Sequence, residues 1–235
     1  MQPRFCYNKR AQETLAAFVN GGRFPHALLL EGPEGSGRRT FAREIAAALF
    51  CRGEHKPCGS CNQCRKVLEQ NHPDVEYYGG DGSRRSFHID TIRQLRQNAW
   101  LLPGEAPCRV CVLCGAENMT DQAQNALLKI LEEPPEHTVF ILTAENRAML
   151  LPTILSRVQT IRLEPLTPAE ILPVLRERCP DQPGEKLEWA AETADTIGQA
   201  LALLADENCR FYGHINRICA GDSVRRLGFE AEVVS

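Results

Sequence analysis

The stretch "HALLLEGPEGSGRRTFAREIAAALF", residues 26–50, decides the fold. An apolar run hands over to a glycine-rich turn, residues 32–40, and the turn leads into an alanine-rich helical pattern. Strand, glycine turn and helix in that order form a loop whose backbone N–H groups wrap phosphates at a helix N-terminus. Gly32, Gly35 and Gly37 keep the backbone that such a loop needs. The side chains depart from it. Arg38 stands where a lysine reaches the β/γ-phosphates, and Arg39 where a hydroxyl holds Mg²⁺. Arg38 keeps the charge on a bulkier planar fork, whereas Arg39 cannot ligate a cation. Thr40 comes one residue late, about 100° around the helix.

Working outward, four more apolar segments read as buried strands: residues 75–78, 110–113, 139–143 and 159–163, after a first at 27–30. Helical patterns separate them. Residues 89–102 carry Ile89, Ile92 and Leu95 in near-helical register. Residues 120–133 place Ala123, Ala126, Leu127, Ile130 and Leu131 on one face, with Thr120 as N-cap. Alternating strands and helices predict a mostly parallel sheet covered on both sides. After Leu163 the strands stop. Thr167, Pro168 and Glu170 occupy the N-cap, N1 and N3 positions of a capping box, and two further helical patterns follow. The expected organisation is an α/β domain over residues 1–163, a small helical lid domain over 164–206 and one more helical stretch over 207–235.

The 11 cysteines are many for a reducing compartment, and their odd number argues against a disulfide framework. Their spacing carries the information. Cys51, Cys58, Cys61 and Cys64 form a C-x6-C-x2-C-x2-C cluster, and tight C-x2-C turns bring thiolates onto a single tetrahedral ion. Four thiolates and no open position predict a structural Zn²⁺ module at about residues 51–70. The iron–sulfur run C-x2-C-x2-C-x3-C-P is not completed after Cys64. His55 is a competing ligand that we expect to face solvent. Cys108, Cys111 and Cys114 do not form a second site. At about 3.3 Å per residue along a strand the outer two lie roughly 20 Å apart, and Cys111 points to the opposite face, into the core.

Composition bounds the function. The chain of 235 residues carries a net charge of −3, 43% hydrophobic and 24% charged residues, ordinary for a globular protein. A free-standing nucleic-acid binder advertises a basic surface; contact with DNA is therefore expected to be local or shared with other subunits. No apolar run approaches the roughly 18 residues of a membrane helix, and the start, "MQPRFCYNKR", lacks a signal-peptide core. A cytoplasmic protein is expected.

A working ATPase ends a buried strand with an acidic pair, one carboxylate for Mg²⁺ and one to orient water. Here the strand "RVCVL" is followed by Cys114 and Gly115, and Glu117 comes two or three positions further on. The chain is therefore not expected to hydrolyse ATP or to process Mg·ATP. Weak nucleotide binding stays open.

Residues 125–146 ("NALLKILEEPPEHTVFILTAEN"), residues 151–158 ("LPTILSRV"), the cysteine cluster and "HPD" at 72–74 together resemble bacterial clamp-loader subunits of the AAA+ class. The resemblance covers about residues 8–205. Among those subunits, an eroded phosphate loop and acidic pair are similar to the delta-prime type of DNA polymerase III; the motor subunits, gamma and tau, keep both. The resemblance implies a five-stranded parallel P-loop sheet with an inserted zinc module and a helical lid. It implies that Ser156 and Arg157 form the motif whose arginine enters a neighbouring subunit's ATP site, with Val158 in place of the usual cysteine. It implies that Thr143 matches a sensor position, read here as a structural hydroxyl, and that residues 198–200 lack the second sensor arginine. It also implies gamma/tau and delta subunits as partners, the sliding clamp and primed DNA through the assembled complex, and a collar-forming region beginning at 207–235. On this reading the chain is a non-catalytic component of the polymerase holoenzyme. The alternatives are a gamma/tau-like ATPase that uses Arg38 and Glu117, and a zinc-stabilised adaptor unrelated to replication. Without the resemblance, Arg157 reads as a helix-end arginine paired with a nearby carboxylate, Lys129 as a helix-surface charge, and Arg84 and Arg85 as part of a solvated loop.

Overall fold

The computed structural model describes residues 7–22, 24–79, 87 and 89–206. The expectations for Arg84 and Arg85 and for residues 207–235 lie outside the described residues. The chain divides into two compact units, Met1–Pro165 and Leu166–Ser235.

In the first unit the elements run α1 (Lys9–Asn20), β1 (Ala27–Glu31), α2 (Arg38–Phe50), α3 (Asn62–Leu68), β2 (Val75–Tyr78), α4 (Ile89–Ala99), β3 (Arg109–Leu113), α5 (Asp121–Glu132), β4 (Thr138–Ala144), α6 (Pro152–Leu155) and β5 (Gln159–Arg162). The strands form one sheet in the order β2-β3-β4-β1-β5, and every pairing is parallel. Period-two alternation sorts the apolar residues. Leu29, Cys111, Leu113, Phe140 and Leu142 face a core shared with Ile92 and Leu95 of α4 and Leu127 and Ile130 of α5. Leu28 and Leu30 alternate to the other face, and α2 packs on β1 and β4 with Phe41 and Ile45 buried. Helices thus cover both faces, as runs such as "HALLLE" require.

Local signals explain the ends. The Thr120 hydroxyl accepts the N–H of Ala123 at 3.2 Å and caps α5. Helix α4 ends at Ala99, three residues before the expected end. Pro103 disfavours helix in the residue before it. The hydroxyl of Thr138 takes the Ala99 carbonyl at 2.7 Å, and Arg109 Nε takes that of Leu101 at 3.3 Å. Trp100, Leu101 and Leu102 are left exposed. Near the start, the buried side-chain amide of Asn8 pairs with the backbone of Glu164, accepting its N–H at 2.8 Å and donating to its carbonyl at 3.1 Å.

The second unit contains α7 (Pro168–Arg178), α8 (Gly184–Thr193) and α9 (Ile197–Ala205). The capping box forms, with Glu170 Oε2 accepting the Thr167 N–H at 2.9 Å. Ile171, Leu175, Leu187, Ala190, Ile197 and Ala200 are buried. Among the described residues no helix is long and apolar enough to cross a membrane.

Candidate functional site

Three sites follow from the sheet's geometry. The first lies at the C-terminal end of β1, where the phosphate loop leads into α2. Gly35 and Gly37 adopt φ of 78° and 84°, the left-handed region that glycine occupies freely. A Cβ on Gly32 would sit 2.8 Å from the Leu163 carbonyl oxygen and 2.9 Å from Ser36 Oγ, so the close approach requires glycine. The side chains do not suit a magnesium nucleotide. Arg38 turns to the chain's own acids, with Nη2 3.2 Å from Glu145 Oε1 and Nη1 3.9 Å from Glu117 Oε1. Arg39 lies over the Tyr77 ring, 5.4 Å from its centroid. Cys114 follows β3 where an acid would stand, and burial pushes its thiol up. The Thr143 hydroxyl accepts the N–H of Gly115 at 3.0 Å, which fixes the turn after β3. The residues present therefore do not fit Mg·ATP. Glu117, two or three positions late in sequence and named there only for the ATPase alternative, is brought back to the loop by the short 3₁₀ turn over Ala116–Asn118.

The second site follows α2. The sulfurs of Cys51, Cys58, Cys61 and Cys64 all lie within 4.8 Å of one another, and those of Cys58 and Cys64 are 4.0 Å apart. Tetrahedral Zn–S bonds of about 2.3 Å place sulfurs roughly 3.8 Å apart, so the cluster fits such an ion. Backbone N–H groups point at the sulfurs: those of Gly53 and Cys58 at Cys51 (both 3.3 Å), that of Cys61 at Cys58 (3.4 Å) and that of Cys64 at Cys61 (3.4 Å). The Cys61 N–H and further hydrogen bonds hold the Cys58 thiol down to about 6. For Cys61, burial is the largest single effect and raises the thiol, but hydrogen bonds from Cys64 and the Arg52 backbone together outweigh it, so the thiol is lowered too. Burial pushes Cys64 up, as expected for a thiol that needs a cation to ionise inside the fold. His55 is exposed. Cys111 is buried in the core and pushed up to about 12 by burial. Among the described residues, Cys108, Cys111 and Cys114 do not gather into a metal-sized group.

"HPD" ties this module to the sheet. His72 Nδ1 accepts the Asp74 N–H at 3.0 Å, so Nε2 carries the proton and donates to Gln63 Oε1 of α3 at 2.5 Å. The ring is neutral, packs at a tilt of 44° against Phe50 with centroids 4.7 Å apart, and burial lowers its pKa.

The third site lies at the opposite rim. Ser156 and Arg157 precede β5, and register pairs Leu28 with Gln159, which sets Arg157 level with His26 at the start of β1. The phosphate loop follows the end of that strand, six residues on, or roughly 20 Å away. Arg157 Nη2 pairs with Glu132 Oε1 at 2.8 Å, and Nη1 donates to the Thr153 carbonyl at 2.8 Å and to Ser156 Oγ at 3.2 Å. The side chains of Arg157 and Glu132 are 34% and 49% exposed. A pair so exposed is worth about 1 kcal/mol or less and releases readily. Both line an open groove of about 530 Å³ with Pro25, His26 and Gln159. Lys129 is exposed on α5.

A model of the family described as "DNA polymerase III, delta subunit" matches residues 7–167. The delta-prime subunit of Bacillus subtilis DNA polymerase III is 35% identical over 164 residues, 69% of this chain and 49% of that protein. The Escherichia coli delta-prime subunit is 29% identical over 198 residues, 83% of this chain and 59% of that protein. A Mycobacterium tuberculosis gamma/tau subunit is 32% identical over 212 residues, 84% of this chain and 36% of that protein. The chain thus spans about half, or less, of the length of the first of these relatives. Among solved structures, the Thermotoga maritima RuvB Holliday junction branch migration motor shares the fold, with a TM-score of 0.57 at 15% identity, covering 85% of this chain and 61% of that one. The chain belongs to the DNA polymerase III delta-subunit family, and the relatives it matches include delta-prime subunits of that polymerase.

Proposed function

We propose that this chain is a non-hydrolysing, cytoplasmic clamp-loader subunit that lends Arg157 to the ATP site of a neighbouring subunit, with Ser156 holding the guanidinium in place. The observation that carries the reading is the separation of the two rims. Arg157 lies roughly 20 Å from the chain's own phosphate loop across a parallel strand pair, so its guanidinium serves a second chain or none. Its bond to exposed Glu132 is weak enough to exchange for a phosphate. The partners on this reading are gamma/tau and delta subunits, with the sliding clamp and primed DNA reached through the assembly. The four cysteines hold structural Zn²⁺.

A second reading, a gamma/tau-like ATPase, has in its favour the 32% identity to the mycobacterial gamma/tau subunit over 84% of the chain. Against it stand Arg38 paired with acids, Arg39 over Tyr77 and Cys114 at the acidic position.

The test is ATP turnover in a reconstituted loader whose other ATP sites are disabled. An arginine finger is worth about 10³–10⁵ in rate, so Arg157→Ala is expected to cut turnover at the adjoining site by roughly 10³-fold while the chain melts as before. Unchanged turnover would remove the finger.

A further inference from the structure

The phosphate-loop rim holds an ion cluster that the lending of Arg157 does not use. Arg38 opens α2, and its guanidinium is bracketed by Glu145, directly after β4, and Glu117, in the turn after β3. The Arg38 and Glu117 side chains are each 15% exposed. Glu117 Oε1 also accepts the backbone N–H of Glu145 at 3.3 Å, which ties the two acidic loops together. Around this cluster hydrogen-bonding capacity is left over. Ser36 Oγ, on a residue 2% exposed, Arg38 Nη1 and Glu117 Oε2 are buried without a hydrogen bond. A Cβ on Gly32 would meet Ser36 Oγ at 2.9 Å, so this hydroxyl lies against the first glycine of the loop.

The backbone of an anion-binding loop is therefore intact, with a cation at its mouth, but the cation's partners are already supplied. A phosphate entering the loop meets two obstacles. It competes with carboxylates tethered beside Arg38, whose effective concentration is high. It also sits beside their negative charge once they are displaced.

We propose that Glu117 and Glu145 latch Arg38, and that the loop beneath is a latent, magnesium-independent polyphosphate site closed by the chain's own acids. The inference rests on the non-hydrolysing reading and deepens it by naming the residues that shut the site. It also separates two kinds of loss. The missing magnesium ligands at Arg39 and Cys114 remove hydrolysis, whereas the two glutamates remove binding.

The experiment is titration calorimetry of the full chain with inorganic tripolyphosphate in EDTA, comparing wild type with Glu117→Gln/Glu145→Gln. The amides keep the shape and remove both charges, so binding is expected to tighten about tenfold or more. Adding Arg38→Ala to the double variant is expected to abolish the gain. Because Glu117 is largely buried, the single Glu145→Gln variant, at the more exposed position, guards against a folding defect and is expected to show part of the gain. Folded variants that bind no tighter than wild type overturn the latch, and so does a gain that survives Arg38→Ala. Turnover of Mg·ATP by the wild-type chain alone would instead overturn the non-hydrolysing reading. An inert wild type with no gain in the variants would overturn the latch alone.

Discussion

Asp74 accepts the N–H groups of Gly104, Glu105 and Ala106 at 2.7, 2.8 and 2.9 Å while 1% exposed. Burial alone would raise its pKa, but the three N–H groups outweigh it and hold the carboxyl below its usual value. A group depressed in this way stabilises the fold fully above its unfolded pKa of about 3.9, and that stability is lost as pH falls through the lower folded value. Neutral His72 acts in the same direction but at higher pH, because its ring is also harder to protonate in the fold. Its contribution is complete above about pH 6.5 and declines below it. Urea unfolding is thus expected to show two acid limbs. Asp74→Asn replaces one acceptor oxygen with a donor; it is expected to cost about 3 kcal/mol at pH 7 and to flatten the limb below pH 4. An unchanged midpoint at pH 7 would contradict this account. "HPD" was visible in the sequence only as a family mark. Its purpose, a proline-spaced pair joining the cysteine module to the turn at residues 104–106, needed the fold.

The cysteine module shows the same division at the scale of an element. Spacing alone picked out the four cysteines that gather, because a C-x2-C turn is local and its geometry does not depend on the rest of the chain. How the module is anchored was not readable. Cys51 caps the end of α2, and the Cys64 thiol faces the Ala47 carbonyl at 3.6 Å, so the cluster staples that helix. Chelation or Cys61→Ser is expected to raise hydrogen exchange over residues 51–70 and the last turn of α2 while sparing β1, β3 and β4. Metal analysis finding no stoichiometric zinc would end the assignment. In the sheet, Phe140 is fully buried on β4, a central strand paired on both sides. Phe140→Ala is expected to cost about 3–5 kcal/mol in chemical unfolding. The end of α4 was misjudged because helical periodicity continued past Ala99, while side chains outside the helix, Thr138 on β4 and Arg109 on β3, claimed the carbonyls there.

At the scale of the whole molecule, a parallel sheet has two chemically different rims, and on the proposed function this chain divides its work between them. On that proposal one rim keeps a loop without magnesium chemistry, and the other lends an arginine. Calorimetry and turnover with Mg·ATP on the purified chain are expected to give no hydrolysis above background, and measurable hydrolysis would favour the gamma/tau-like reading.

Local patterns were enough to establish the five strands, helices α2, α4, α5 and α7 to α9, the capping box, the cysteine cluster and the replaced lysine and hydroxyl. Each of these depends on residues within one or two turns of one another. Contacts between residues more than about a hundred positions apart were a different matter. Arg38 reaches Glu145, Asn8 reaches Glu164, and Arg157 lies level with His26 because strands from distant parts of the chain pair in a particular order. That order depends on which buried faces pack together. Hydrophobic burial is not directional, so no stretch of sequence encodes such neighbours until the core has formed.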